Sequence, residues 1–250
     1  MTINMRSSSG IANFGERVVV WGRDLHTECL EMSFVNYYLF CATGRHFDET
    51  RSRVLERLWI STGYPDARLW CNRVAGYLGS ARVDPALAIA ASLAASNSTA
   101  YGFRAMRSAF ELQQEIPERL SERANWLDQQ LAARRILAGY GRPVRARDER
   151  VAVAYRILAE HGFRAGSALR RAYWLGKRLQ ERKGVSLNAS GVYAAIALDF
   201  GMTAREYDAF MLLLLTPGYI AVYTDQRRRE PLSFLSGFQS RPQLGRGNGH

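Results

Sequence analysis

Residues 203–215 read TAREYDAFMLLLL. Thr203 and Glu206 stand three apart just ahead of an apolar run, the spacing of a capping box in which each side chain accepts the other residue's backbone N–H. Tyr207, Phe210, Leu213 and Leu214 then recur on one face of a 3.6-residue repeat. The pattern predicts a helix with a defined start, and its apolar run Phe210 to Leu215 reads as core or subunit interface.

The same period recurs along most of the chain. Ser33 to Ala42 is apolar nearly all round and stops at Thr43-Gly44; Asp48 is placed to cap a helix that carries Val54, Leu55, Leu58 and Trp59 on one face and ends at Gly63-Tyr-Pro65. Asp84-Pro85 opens an alanine-rich stretch, Ala86 to Ala95, whose small side chains let neighbouring backbones approach, so it is expected to be central. Arg104 to Glu115 and Glu118 to Ala138 are separated by Pro117, the second with Leu120, Leu127 and Leu131 at helical spacing. Asp148 to His161 and Ser167 to Arg182 are two further amphipathic helices, each followed by glycine. The exception is Arg17-Val-Val-Val-Trp21, a β-branched run closed by Gly22, which predicts a short strand in an N-terminal hairpin or edge. The fold class is thus all-α, with about ten helices and a short N-terminal β element. The tail 239–250 has little to bury and is expected to be mobile.

The 250 residues carry 47% hydrophobic and 23% charged side chains, a globular balance that excludes fibrous or wholly disordered chains. Lys+Arg number 34 against 23 Asp+Glu, for a net charge of +11, and only Lys177 and Lys183 are lysines. So many arginines suit polyanions and, equally, the carboxylates and phosphates of small ligands. No apolar run approaches the roughly 20 residues of a membrane span and residues 1–10 have no apolar leader core, so a cytoplasmic protein is expected. Cys29, Cys41 and Cys71 lack paired or metal-ligand spacing and read as buried thiols.

Phosphate-binding glycine loops and the nucleophile-elbow motif do not occur, and His26, His46, His161 and His250 lack metal-ligand spacing. His161, before Gly162 at a helix end, reads as structural. The most informative segment is Gly139-Tyr-Gly-Arg-Pro-Val-Arg-Ala-Arg-Asp-Glu-Arg150: a glycine-bracketed loop with four arginines running into a helix N-terminus. Such a segment suits a small anion; a solvated basic loop and contact with a nucleic-acid backbone are the alternatives.

The order of segments resembles the citrate synthases and citryl-CoA lyases. Val19-Val-Trp-Gly-Arg-Asp-Leu25 is similar to that family's strand-and-turn lead-in, and Met32-Ser-Phe-Val35 with Leu39-Phe-Cys-Ala-Thr-Gly-Arg45 to the helix that follows. Cys71-Asn-Arg-Val-Ala75 and Gly79 come next. Gly139-Tyr-Gly-Arg-Pro143 with Asp148-Glu-Arg150 resembles the family's GFGHP…DPR, Leu187-Asn-Ala-Ser190 its NVDF, and Gly218-Tyr-Ile-Ala221 with Asp225-Gln226 its GW(I)AH…EQ. The resemblance spans roughly residues 16 to 235.

It implies an all-α dimer, homomeric or with a homologue, with a large domain (1–102 and 201–250), an inserted small domain (103–200) and a cleft between them. There a His–His–Asp set enolises an acyl-CoA and joins it to an oxo acid, or runs the cleavage, while arginines hold carboxylates. In this sequence Tyr101-Gly-Phe-Arg104 stands near the first histidine, Arg142 at the second, and Ser190 at the aspartate base. A positioned base contributes about 10² to 10⁴ in rate, and neither arginine nor unassisted serine abstracts a carbon-bound proton near neutral pH. The resemblance keeps Arg150 and Arg229 as carboxylate-binding arginines, whereas Leu215 replaces a third.

Three readings follow. The first is a divergent acyltransferase or lyase acting on a CoA thioester as substrate, without a tightly bound cofactor or metal. Tyr101, Arg104, Arg142 and Ser190 line its rebuilt site, Arg142, Arg145 and Arg147 serve CoA, and Tyr101 or Asp148 moves protons. The second is a catalytically inactive relative that binds a ligand or pairs with an active subunit, its cleft filled by side chains such as Phe103. The third is a basic nucleic-acid-binding protein with arginines in an exposed stripe.

Overall fold

A computed structural model describes residues 18–133, 136–142 and 147–235. Among these, eleven helices and one two-stranded antiparallel hairpin account for the regular structure, the all-α class anticipated above. The hairpin pairs β1 (Val19–Val20) with β2 (Arg23–Asp24), turning at Trp21-Gly22, so the β-branched run does form the N-terminal β element. The tail 239–250 lies outside the described residues.

The described residues divide into two compact units, those of 18–62 with those of 98–214, and those of 63–97 with those of 215–235. The first unit contains the hairpin, α1 (Phe34–Thr43), α2 (Glu49–Thr62), α5 (Phe103–Glu115), α6 (Leu120–Ala133), α7 (Glu149–Glu160), α8 (Ser167–Lys183), α9 (Ala189–Asp199) and α10 (Ala204–Leu214). Its centre is α9, in which eight of the eleven residues, Ala189, Gly191–Ala197, are buried. That helix escapes period-based delineation because a helix covered on all sides has no polar face to mark its period. Packed against it are α5, α7 and α8.

Caps hold the first unit's helices where the sequence places them. Ser33 accepts the Asn36 N–H at 3.3 Å and Gly44 closes α1. In α10 the capping box forms as read, Thr203 N–H donating to Glu206 Oε2 at 2.7 Å and Glu206 N–H to Thr203 Oγ1 at 3.3 Å. Arg45 completes this corner by donating to the Phe200 and Gly201 carbonyls. The Asp199 carboxylate accepts the Ala168 and Leu169 N–H groups at 2.8 and 3.1 Å, capping α8 from another helix, a partner that no local pattern reveals. His161 caps the C-terminal end of α7, its Nδ1 2.9 Å from the Ile157 carbonyl, as anticipated. Phe210, Met211 and Leu214 are buried in the unit's core. The α6 helix is shorter than its sequence pattern, and of its leucine stripe only Leu127 is buried; Leu120 is 66% exposed.

The second unit consists of α3 (Trp70–Ser80), α4 (Pro85–Ala95) and α11 (Thr216–Arg227). Here α3 and α11 pack so closely that a Cβ on Gly79 would lie 2.5 Å from the Tyr223 carbonyl oxygen. The alanine-rich α4 is not central as expected: of its residues only Ala88 and Ser92 are buried, and Leu87 is 66% exposed. Small side chains permit close packing, but they bury little area each, and only one edge of α4 is covered. Cys29 and Cys71 are buried and Cys41 is half-buried, all three as free thiols. No described helix is long and apolar enough to cross a membrane.

Because Gly79 Cβ would meet backbone rather than a movable side chain, Gly79→Ala is expected to lower unfolding free energy by about 2 kcal/mol. Urea unfolding monitored by circular dichroism would measure this, and an unchanged midpoint would mean α3 and α11 separate without cost.

Candidate functional site

The glycine-bracketed loop is built by pairing with a second loop that the sequence places some 45 residues on. The Gly139 carbonyl accepts the Asn188 N–H at 3.0 Å, Gly141 N–H donates to Ser186 O at 2.8 Å, and Asn188 Nδ2 donates to Gly141 O at 2.7 Å. Tyr140 and Leu187 thereby form an isolated antiparallel bridge. Gly139 is required twice over: its φ is +87°, and a Cβ would lie 2.8 Å from the Cα of Gly191. Tyr140 anchors the loop from inside, its buried phenol donating to the Ala172 carbonyl and accepting from Gln113 Nε2, each at 3.1 Å. Burial pushes that phenol well above its ordinary pKa, so it stays protonated.

The two loops deliver Arg142 and the start of α9 to Asp148. Its carboxylate is fully buried, and as the N-cap of α7 it accepts the Arg150 N–H at 3.2 Å. The Arg150 guanidinium grips both oxygens, Nε to Oδ1 at 2.9 Å and Nη2 to Oδ2 at 2.8 Å. The N–H of Ala189, first residue of α9, donates to Oδ2 at 2.9 Å. Arg142 Nη1 lies 4.0 Å from Oδ1. Burial alone would raise the Asp148 pKa, but hydrogen bonding and the charge of Arg150, with help from Ala189 and Arg142, hold it below the usual carboxylate range. Burial would likewise discharge Arg150, and Asp148 reverses this and keeps it cationic.

Around this pair stand hydroxyl groups. Tyr193, one helical turn after Ala189, is buried with its phenol 2.9 Å from Ser61 Oγ and 3.0 Å from Thr62 Oγ1, at the end of α2. Burial raises its pKa, outweighing those hydrogen bonds and the Arg150 charge. Tyr101, half-buried ahead of α5, and Tyr193 are both within electrostatic range of Arg150. Ser190 is half-buried as the second residue of α9.

Of the residues singled out in the sequence, Arg142, Arg150 and the backbone beside Ser190 converge on Asp148, with Tyr101 near Arg150. Arg104, the second residue of α5, and Arg147 are exposed, although the Arg147 carbonyl accepts from Arg142 Nη1 at 3.3 Å. Arg145 lies outside the described residues. Arg229 belongs to the second unit, where its guanidinium pairs with Asp225 at 2.9 Å. Phe103 is half-buried. Among the described residues no group of three His, Cys, Asp or Glu could hold a metal ion. The arrangement offers fixed positive charge, polarising hydrogen-bond donors and phenols, whereas both Asp148 oxygens are already occupied by strong donors. Sequence reasoning missed Tyr193; its only signal is the one-turn spacing from Ala189 and Ser190.

A model of the family described as citrate synthase, C-terminal domain, matches residues 10–233. The chain belongs to the citrate synthase family. Solved structures agree on the fold. Citryl-CoA lyase from Hydrogenobacter thermophilus is similar with a TM-score of 0.77 at 23% identity, over 92% of this chain and 90% of that one. ATP citrate lyase from Methanothrix soehngenii, in complex with citrate and coenzyme A, gives 0.77 at 15% identity, over 91% of this chain and 40% of that one. Citrate synthase from Thermotoga maritima gives 0.64 at 20% identity, over 78% and 53%. This citrate synthase family member therefore spans about half the length of that synthase and less of the ATP citrate lyase. A comparison with curated proteins gives no match.

Asp148→Asn leaves Arg150 without its counter-charge and is expected to cost about 3 kcal/mol at pH 7. Since the folded-state pKa of Asp148 lies below its unfolded value of about 3.9, that contribution is full above pH 5 and fades as the pH falls through 4. Urea unfolding of both proteins from pH 7 to pH 3 would show the gap narrowing; a gap independent of pH would remove Asp148 as its source.

Proposed function

We propose that this protein forms or cleaves a carbon–carbon bond between an acyl-CoA thioester and an oxo acid, with an active site rebuilt around Asp148. The observation that carries this is the Arg150–Asp148 pair, which joins the N-terminal ends of α7 and α9 and brings Arg142 to the same carboxylate. Arg150 matches the arginine that holds a carboxylate in the family, and Arg142, where the family has a histidine, is positioned to polarise a thioester carbonyl as a fixed positive charge. By the resemblance, Arg145 and Arg147 would serve the phosphates of CoA with Arg142, and Arg104 would line the site. With Asp148 committed to four donors, Tyr101 is the candidate to exchange the proton, with Ser190 as a hydrogen-bond donor to substrate. By the resemblance, Arg229 of a partner subunit would hold a second carboxylate.

A catalytically inactive relative, binding the same ligand class or completing a site with a homologous subunit, is the second reading. The same commitment of Asp148 favours it, since the buried carboxylate is no free base. Against nucleic acid as the main partner stands the pairing of arginines such as Arg57, Arg150 and Arg182 with carboxylates, in place of an unpaired stripe.

We also propose a dimer, homomeric or with a homologue. The second unit leaves Trp70, Leu87 and Ile220 at least half exposed, apolar area that a partner subunit would cover. Leu87→Glu is expected to convert a dimer to monomers in light scattering, and identical masses for the two proteins would remove α4 from the interface.

Calorimetric titration of CoA and acetyl-CoA into wild type and Arg142→Ala tests the ligand class. Saturable binding weakened at least tenfold in the variant is expected; absence of binding in wild type overturns the CoA reading. Thiol release from acetyl-CoA with a panel of oxo acids, lost in Tyr101→Phe with binding retained, separates the enzyme from the inactive relative.

A further inference from the structure

Arg142 has a partner that no family pattern supplies. Its Nη1 lies 2.8 Å from Glu149 Oε2, closer than to Asp148 or to the Arg147 carbonyl. Glu149 stands where the family motif has proline, in the middle of Asp148-Glu-Arg150. Thus where the family has a histidine and a proline, this chain has two residues that form an ion pair with each other.

The pair is asymmetric. The Arg142 side chain is 21% exposed, and its backbone is held by the neighbouring Gly141 contacts to Ser186 and Asn188. Asp148 is fully buried, and its oxygens serve Arg150 and Ala189. Glu149 is 55% exposed at the first turn of α7. The glutamate is thus the more exposed member of the pair.

We propose that Glu149 is a tethered competitor carboxylate, which holds Arg142 when no ligand is present and yields it to an anionic ligand. This rests on the reading that the arginine loop binds the anionic CoA ligand. A tethered group competes at an effective concentration in the millimolar range, so a ligand displaces it only by presenting more charge or further contacts. Neutral ligands and simple monocarboxylates gain nothing from the exchange. The site selects molecules with several negative charges, such as a phosphorylated thioester or a di- or tricarboxylate, and Glu149 is a specificity-determining residue.

The test is a double-mutant cycle read by calorimetry with CoA as probe, on wild type, Glu149→Gln, Arg142→Ala and the double variant. Glu149→Gln is expected to tighten CoA binding about fivefold, the scale of a partly exposed ion pair. In the Arg142→Ala background the same change is expected to do nothing, because the competitor then has nothing to occupy. Acetate serves as the low-charge probe: in wild type it is expected to give no saturable binding. Equal CoA affinity in wild type and Glu149→Gln, with loss in Arg142→Ala, overturns the competitor role and leaves the ligand reading intact. Tightening that persists without Arg142 also overturns it, as general charge removal. No CoA binding by any of the four overturns both. Glu149→Ala, which removes the carboxylate without an amide in its place, repeats the test should the glutamine variant fold poorly.

Discussion

A buried carboxylate is tolerated in a protein only when donors surround it, and the architecture of the first unit follows from how Asp148 meets that condition. Its donors come from the turn of its own helix, the Arg150 fork and the N–H of Ala189. Two helix N-termini thus converge on one negative charge, the arrangement that favours an anion through both hydrogen bonding and dipole. The bridge between Tyr140 and Leu187 then sets the loop that presents Arg142 to the same charge.

The frame of the citrate synthase family does not depend on the residues proposed to carry chemistry. The frame is held by Asp148 and Arg150, by backbone hydrogen bonds between the two loops, and by the close approach of Gly139 and Gly191. None of these requires a proton-transfer residue. The residues proposed for chemistry, Tyr101, Arg142 and Ser190, are thus distinct from those that hold this frame.

Charge balance shapes the site as much as position does. Four arginines in the segment 139–150 suggest an open anion trap when read as sequence. In the folded protein Arg150 is paired with Asp148, and Arg142 is shared among Glu149, Asp148 and a carbonyl. On the proposed reading, an anionic ligand at Arg142 exchanges with the acidic side chain already there, so that its binding depends on total charge and on salt.

Local sequence determined much of the secondary structure here: the Thr203–Glu206 capping box, the Ser33 and Asp148 caps, the closing Gly44 and the turn at Trp21-Gly22 are each settled by residues within a few positions, and short-range hydrogen bonds need nothing else. The ordered motifs also sufficed to suggest the family. Three matters were decided by tertiary structure alone. α9 is central, although it has no polar face to mark its period, and α4 is largely exposed, against the expectation from its composition, because burial depends on what packs against a helix as well as on its own side chains. Asp199 caps α8 across 31 residues, a distance no local pattern spans. And Asp148 is a structural anion in place of a free base, because the donors that consume its lone pairs arrive from elements whose approach only the fold determines.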